Sequence, residues 1–449
     1  MNIYHVLKIA LALIGIGFLF ARPVSAQENA EKRGSDNITV VAHLPLGEFR
    51  TISDVEVEQS MSRPYAYVGR QLASGRPPET RVERGMDVID IHDPSNPKVI
   101  HRWRIEDPDL HVGGGGKDIK TFSWDGRHYV VLSTQFGQGG PDGDLGAIIF
   151  DVTDISDTLT EVARIQGPLE RGGFHNIYVY KHSNGRVLLF ATVSAPHANI
   201  YDLGYVVEGR VDEALVANVP VPESSQTRGG RGYHDFYTGY HADSEQDRFY
   251  GGGTGGYYVY NVTDLENPEL LVSLTGINGV RRGHTFTPSP DGRYVVAETE
   301  YQYAPLRIFD LKPGLDGEVV NINRPISAWT PNWQNLVHNH EVRWPLVFVS
   351  GYRDGLQVFT LQDPKNPKTV GHYDTDIGPE EGVPITNGAW GVDVRNSDGL
   401  ILISDMSTGL WLFRMEGFKG WNGLDWGMPN ISSEQDFDNG PAVQAITRQ

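Results

Sequence analysis

Four short phrases carry a histidine at the same relative place: GFHNIYV (173–179), GYHDFYT (232–238), RGHTFTP (282–288) and HNHEVRW (338–344). Imidazole is a nitrogen donor that suits copper, iron, zinc and nickel, so four rings converging on one point make a transition-metal site. The expected ligands are His175, His234, His284 and His340. His338 lies two positions before His340, on the same face of an extended strand, and is a fifth candidate. Copper or iron with an open coordination position would act as a Lewis acid or redox centre on a small substrate. Lys117 stands at the equivalent place in an earlier unit, where a neighbouring cationic centre would lower its pKa and make it a base. Glu298 and Glu300, in VVAETEY (295–301), are the carboxylates expected near the same point and complete the candidate catalytic set.

A repeat must carry these residues together. An apolar segment ending in an aromatic residue or Ile recurs at Ile89, Phe150, Tyr201, Tyr260, Phe309, Phe359 and Phe413, at intervals of 61, 51, 59, 49, 50 and 54 residues. Several units run into one turn phrase, as in IDIHDPSNPKVI (89–100), YNVTDLENPELL (260–271) and FTLQDPKNPKTV (359–370). Asp and Asn side chains cap such a turn and Pro sets its φ, after which alternating apolar residues resume a strand. Hairpins such as SWDGRHYV (123–130) and SPDGRYVV (289–296) lie inside the units. Each unit therefore reads as a four-stranded meander, and the seven units as an all-β, seven-bladed propeller spanning 38–415. The last unit stops at LWLFRM (410–415) while ITVVAHL (38–44) is an orphan strand, so the two ends are expected to pair and close the ring.

In that architecture the first strand of each blade lines the axis. The register expected there is Ser53, Lys117, His175, His234, His284, His340 and Trp390, each followed by Asp54, Asp118, Asn176, Asp235, Thr285, Glu341 and Gly391. The residues also admit a structural use, because a buried His that donates to a carbonyl, Asp235 or Glu341 ties neighbouring blades. Asp118 or Asp235 would alternatively orient an imidazole from behind. His43, His92, His101, His128, His182, His241 and His372 fall in turns, hairpins or outer strands and read as surface residues, with His111 and His197 undecided. The runs HVGGGGKD (111–118) and GGGTGG (251–256) lack the Gly-Lys-Ser/Thr pattern of a phosphate loop and read as places of close backbone approach. Neither a Gly-x-Ser-x-Gly elbow nor a His-Glu-x-x-His helix is present.

Composition bounds the partners. A formal charge of −19 argues against nucleic acid and anionic membrane surfaces. With no cysteine, any metal must be held by His, carboxylate or backbone oxygen. Lys8, the apolar run IALALIGIGFLFA (9–21) and Val24-Ser25-Ala26 form an expected signal peptide over 1–26, implying export to the periplasm or medium without a stable anchor after cleavage. Residues 27–37 read as a flexible lead-in and 416–449 as a C-terminal extension.

The phrases VIDIHDPSNPKVI, YYVYNVTDLENPELL and GLQVFTLQDPKNPKTVGHYD resemble LVIVD repeats, and the likeness covers most of 38–415. That resemblance implies an exported bacterial propeller. The plan is more remotely similar to the selenium-binding protein and methanethiol oxidase group, whose propellers bind copper through histidines; the absence of cysteine here departs from its selenium-binding members. Two classes of function follow: a metal-dependent oxidoreductase, or a non-catalytic scaffold binding an extracytoplasmic protein, peptide or glycan.

Overall fold

The computed structural model describes residues 33–47, 50–72, 83–105, 114–135, 143–168, 172–222, 232–376 and 384–422. The chain divides into Met1–Arg33 and Gly34–Gln449, and the propeller belongs to the second unit. The expected signal peptide, His111 and residues 423–449 of the expected extension lie outside the described residues.

Seven antiparallel sheets of four strands form the blades. Their innermost strands are Ile52–Val57, Gly115–Trp124, Ile177–Lys181, Tyr233–His241, Phe286–Pro288, Asn339–Arg343 and Ala389–Val394, from blade one to blade seven. Each repeat marker from Ile89 to Phe413 falls in the third strand of its blade, and all are buried. These central strands are covered on both faces, which is why they read as short apolar runs rather than half-polar alternation.

The turn phrases fold as their side chains dictate. Asp93 accepts from the backbone N–H of Ser95, Asp264 from that of Glu266 and Asp363 from that of Lys365. One hairpin is set by Asp125 and Gly126, whose φ values of 49° and 72° are those of a turn that twists with its strands.

Closure is as expected. Ile38–Leu44 adds to Gly409–Met415 as the outer strand of blade seven, pairing Ile38 with Met415, Val40 with Phe413 and Leu44 with Leu410. One blade thus contains both ends of the ring, and the edge of 409–415 is covered.

Polar side chains on the inner strands sew neighbouring blades together. Glu56 accepts from the N–H of Thr121, Asp118 from that of Ile177, and Asp393 from that of Val57, joining blade one to two, two to three and seven to one. Lys120 donates to Asp118 at 2.7 Å and lies 3.6 Å from Asp54 and 3.7 Å from Glu56. Arg343, fully buried, donates to Glu341 at 2.7 Å and to Asn396 at 2.6 Å. Glu56, Asp118, Lys120, Glu341 and Asp393 line an axial chamber of about 60 Å³ together with Asp235, Thr285, Asn339 and His340.

Candidate functional site

One residue above the chamber, at the start of each inner strand, the side chains form a ring. His175 packs edge-on to His234 with centroids 4.6 Å apart, His234 lies 4.0 Å from His284, and His284 lies 5.3 Å from His338. The ring continues through Trp390, 3.9 Å from His338, to Lys117, whose Nζ stands 5.4 Å from the Trp390 ring centroid. Ser53 completes the set, bonding the carbonyl of Gly116.

The register differs from expectation in blade six, where His338 rather than His340 occupies the ring. Hydroxyls at the ends of the second strands of blades three and six show why. Thr192 accepts from the N–H groups of both His175 and Asn176, and Ser350 does the same for Asn339, its neighbour His338 pairing with the Ser350 carbonyl. Asn339 is therefore the counterpart of Asn176 and Thr285, and Thr285 Oγ1 lies 2.8 Å from Asn339 Oδ1. His340 sits one level deeper, lining the chamber.

Polar groups of the surrounding strands aim the imidazoles. Amide and carbonyl oxygens only accept, so His175 Nδ1 donates to Gln135 Oε1 at 2.9 Å and His338 Nδ1 donates to the Trp390 carbonyl at 2.7 Å. Both bonds fix the tautomer whose Nε2 carries the lone pair. His284 Nδ1 is held 3.0 Å from Thr285 Oγ1, which in turn lies 2.9 Å from Asp235. Burial lowers His338 to a pKa of about 3, so it is neutral and retains that lone pair.

Glu298 and Glu300 have different places. Glu298 is fully buried, with one oxygen 3.7 Å from His284 Nδ1 and the other 3.1 Å from His340 Nδ1. Loss of water raises its carboxyl well above the usual range, and the nearby charges of Glu300 and Asp235 add to this. Burial likewise takes His340 down to about 3, making Glu298 and His340 a neutral pair. Glu300 reaches the ring itself: its Oε2 lies 3.5 Å from His284 Nε2, and its Oε1 accepts from Tyr352 at 2.5 Å. Its side chain remains 29% exposed, so solvent reaches the ring from this side.

The donor atoms of His234, His284 and Glu300 lie within 4.8 Å of one another, the one such grouping among the described residues. Metal–ligand distances of roughly 2.0–2.2 Å place adjacent donors about 3–3.5 Å apart, so side-chain adjustments of about 1 Å bring the three onto one ion. The chemistry of the set fits a first-row transition metal, since two imidazoles and a carboxylate leave further positions open.

Lys117 lies on the opposite side of the ring, where its Nζ bonds Gln71 Oε1. Tyr352 was not among the sequence-derived candidates. It is buried, carries a φ of 45° unusual for a bulky residue, and packs against His338 at 5.2 Å. The signal available was its position two residues beyond Ser350, matching Glu300 two beyond Glu298 and Gln135 two beyond Ser133. Two histidines read as surface residues are buried instead. His182 lies 3.1 Å from the Val262 carbonyl and 3.4 Å from Asp247, and His241 pairs with the Tyr250 hydroxyl.

Fold and ring together define a seven-bladed propeller with a histidine-containing candidate metal site on its axis. No protein-family description and no curated protein matches the chain. Among solved structures, Raptor of Chaetomium thermophilum is similar, with a TM-score of 0.53 at 11% identity over 85% of this chain. The match spans 29% of that chain and shows the fold alone.

Proposed function

We propose that this chain is an exported LVIVD-type propeller that binds iron or copper on its axis and carries out redox chemistry on a small substrate at the exposed side of the ring. The observation that carries the reading is the meeting of His234, His284 and Glu300. His175 and His338 flank this core and supply further Nε2 donors. The carboxylate favours iron over a purely nitrogen-bound copper. When bound, either metal supplies Lewis acidity and one-electron redox chemistry.

The chain's own residues have separable tasks. Tyr352 holds Glu300 through its hydroxyl, and Glu298 backs His284 so that Nε2 faces Glu300. Lys117 places an ammonium beside Trp390, where it steadies an anionic part of a substrate or passes a proton at Nζ. The axial chamber is lined by the ion pairs of Lys120 and Glu341, and the exposed flank of Glu300 is the side on which a substrate reaches the ring.

The test is elemental analysis of the untagged mature protein beside a His234→Ala/His284→Ala variant and Glu300→Gln. The expected result is near-stoichiometric iron or copper in the parent and its loss in the double variant, with unchanged β-sheet circular dichroism. A parent that retains no metal after reconstitution with ferrous or cupric ion overturns the reading.

A further inference from the structure

Next to the ring, a loop of blade five and the connection from blade five to blade six expose large aromatic side chains to water. Tyr301 is 38% exposed, Tyr303 65% and Trp333 56%, whereas most of the large apolar side chains among the described residues are packed inside blades. The loops are joined, because Gln302 Nε2 donates to the Gln334 carbonyl at 2.6 Å. Gln302 lies between Tyr301 and Tyr303, and Gln334 follows Trp333, so this bond brings the three rings to one rim. The rim starts at the ring itself, since Tyr301 follows Glu300 and the second loop runs on to His338.

The arrangement is built rather than loose. Tyr301 N–H bonds the Thr299 carbonyl at 2.7 Å. Gln334 N–H bonds Asn332 Oδ1 at 3.0 Å, and Asn335 anchors its loop to Asp354 at 2.7 Å. Tyr303 adopts a φ of 64°, in the left-handed region that a bulky side chain rarely enters, and its ring is exposed. Contiguous exposed apolar side chains of this kind mark interaction sites.

The rim's chemistry selects its ligand. Over residues 299–305 and 330–337 the only charged side chain is Glu300, which is turned inward to Tyr352 and His284. What remains outside is aromatic faces with Gln and Asn amides. An apolar small molecule needs a concavity that removes most of its surface from water, which an open rim does not provide. A hydroxylated ring with one apolar C–H face suits it: the face covers Tyr or Trp, and the hydroxyls pair with amides or remain in water. The geometry points to Tyr301, Tyr303 and Trp333 as a platform for a neutral saccharide chain, passing over the exposed side of the ring beside Glu300. The platform's existence does not depend on a metal in the ring.

The probes are cellohexaose, xylohexaose, maltohexaose, mannohexaose and chitohexaose, titrated calorimetrically into the full mature protein with tryptophan fluorescence followed in parallel. At least one is expected to bind, with a shift in Trp emission as the indole is covered. Trp333→Ala and Tyr303→Ala are each expected to weaken that binding about tenfold or more, and Tyr303→Phe to retain most of it. Met61→Ala, at an exposed apolar residue of blade one, serves as the unaffected control. Failure of every probe at millimolar concentration, or Trp333→Ala and Tyr303→Ala binding as the parent does, overturns the proposal. Metal content measured on the same samples separates the two readings: saccharide binding without metal sinks only the metal reading, and metal without saccharide binding sinks only this one.

Discussion

At the scale of single residues, Glu298 shows how burial sets chemistry. The residue is held in place by main-chain bonds, His284 N–H to its carbonyl at 2.9 Å and its own N–H to Thr285 at 3.0 Å, so its carboxyl has little freedom to leave His284 and His340. Outer-sphere partners of metal-bound imidazoles typically alter affinity by about 10–100-fold. Glu298→Gln, nearly isosteric, is accordingly expected to weaken iron or copper binding within that range while leaving the thermal midpoint close to the parent's, measured by metal competition with a chelator. Lys120 makes the opposite case, a residue important to stability. It is the ammonium shared by Asp54, Glu56 and Asp118; loss of hydration is the largest single effect and opposes its charge, but the three carboxylates together outweigh it and raise its pKa well above normal. Lys120→Ala leaves that acidic group without its cation, and a loss of about 3–5 kcal/mol in chemical denaturation is expected. Removing a partner from a merely exposed pair, such as Lys312 with Asp316, would be almost silent by comparison.

At the scale of elements, the blades were legible because a repeat states its periodicity many times over. Ile89, Tyr260 and Phe359 each mark a third strand, and Asp93, Asp264 and Asp363 cap the turns that follow them. The site was less legible. In HNHEVRW both His338 and His340 lie on one face of the strand, and a two-residue slip preserves the inward and outward alternation. Only the Ser350 hydroxyl and carbonyl, bound to the N–H groups of Asn339 and His338, decide between them, and these are contacts between strands. Close backbone approach matters similarly in blade four. A Cβ on Gly252 would lie 1.8 Å from the carbonyl oxygen of His284, so glycine lets the inner strand of blade five rest against blade four. Gly252→Ala must push His284 away from His234. A destabilisation of about 1–3 kcal/mol, as for other overpacked interiors, is expected together with weaker metal binding. Calorimetry and metal analysis on the same preparation test both effects.

At the scale of the whole molecule, closure concentrates acidic residues on the axis, and this gives the ring a pH-dependent stability. Burial lifts Asp235 and Asp393 to about 6 and Glu56 to about 8, with neighbouring carboxylates adding to the rise in each case. Such groups are protonated in the folded ring at a pH where the unfolded chain has already released the proton. For a raised acid the folding contribution is complete below the unfolded pKa of about 4 and is lost as pH rises through the folded value. Asp398 has the reverse sign. Although burial opposes ionisation, bonds from Arg395 and Arg414 bring it down to about 2, so its contribution is present above about 4 and disappears as pH falls towards 2. Being half-buried and on the rim of blade seven, it is screened and contributes about 1 kcal/mol. The axial acids are more numerous and deeper, so their slope dominates above pH 4. The thermal midpoint of the metal-free protein is therefore expected to fall from about pH 4.5 to about pH 8, and to fall again in strong acid. Asp393→Asn, which preserves an oxygen for the Val57 N–H across the closure, is expected to flatten the slope between about 4 and 6. A midpoint that rises steadily from pH 4.5 to 8 in both proteins would show instead that these carboxylates are ionised in the folded ring and that Lys120 and Arg343 govern its electrostatics.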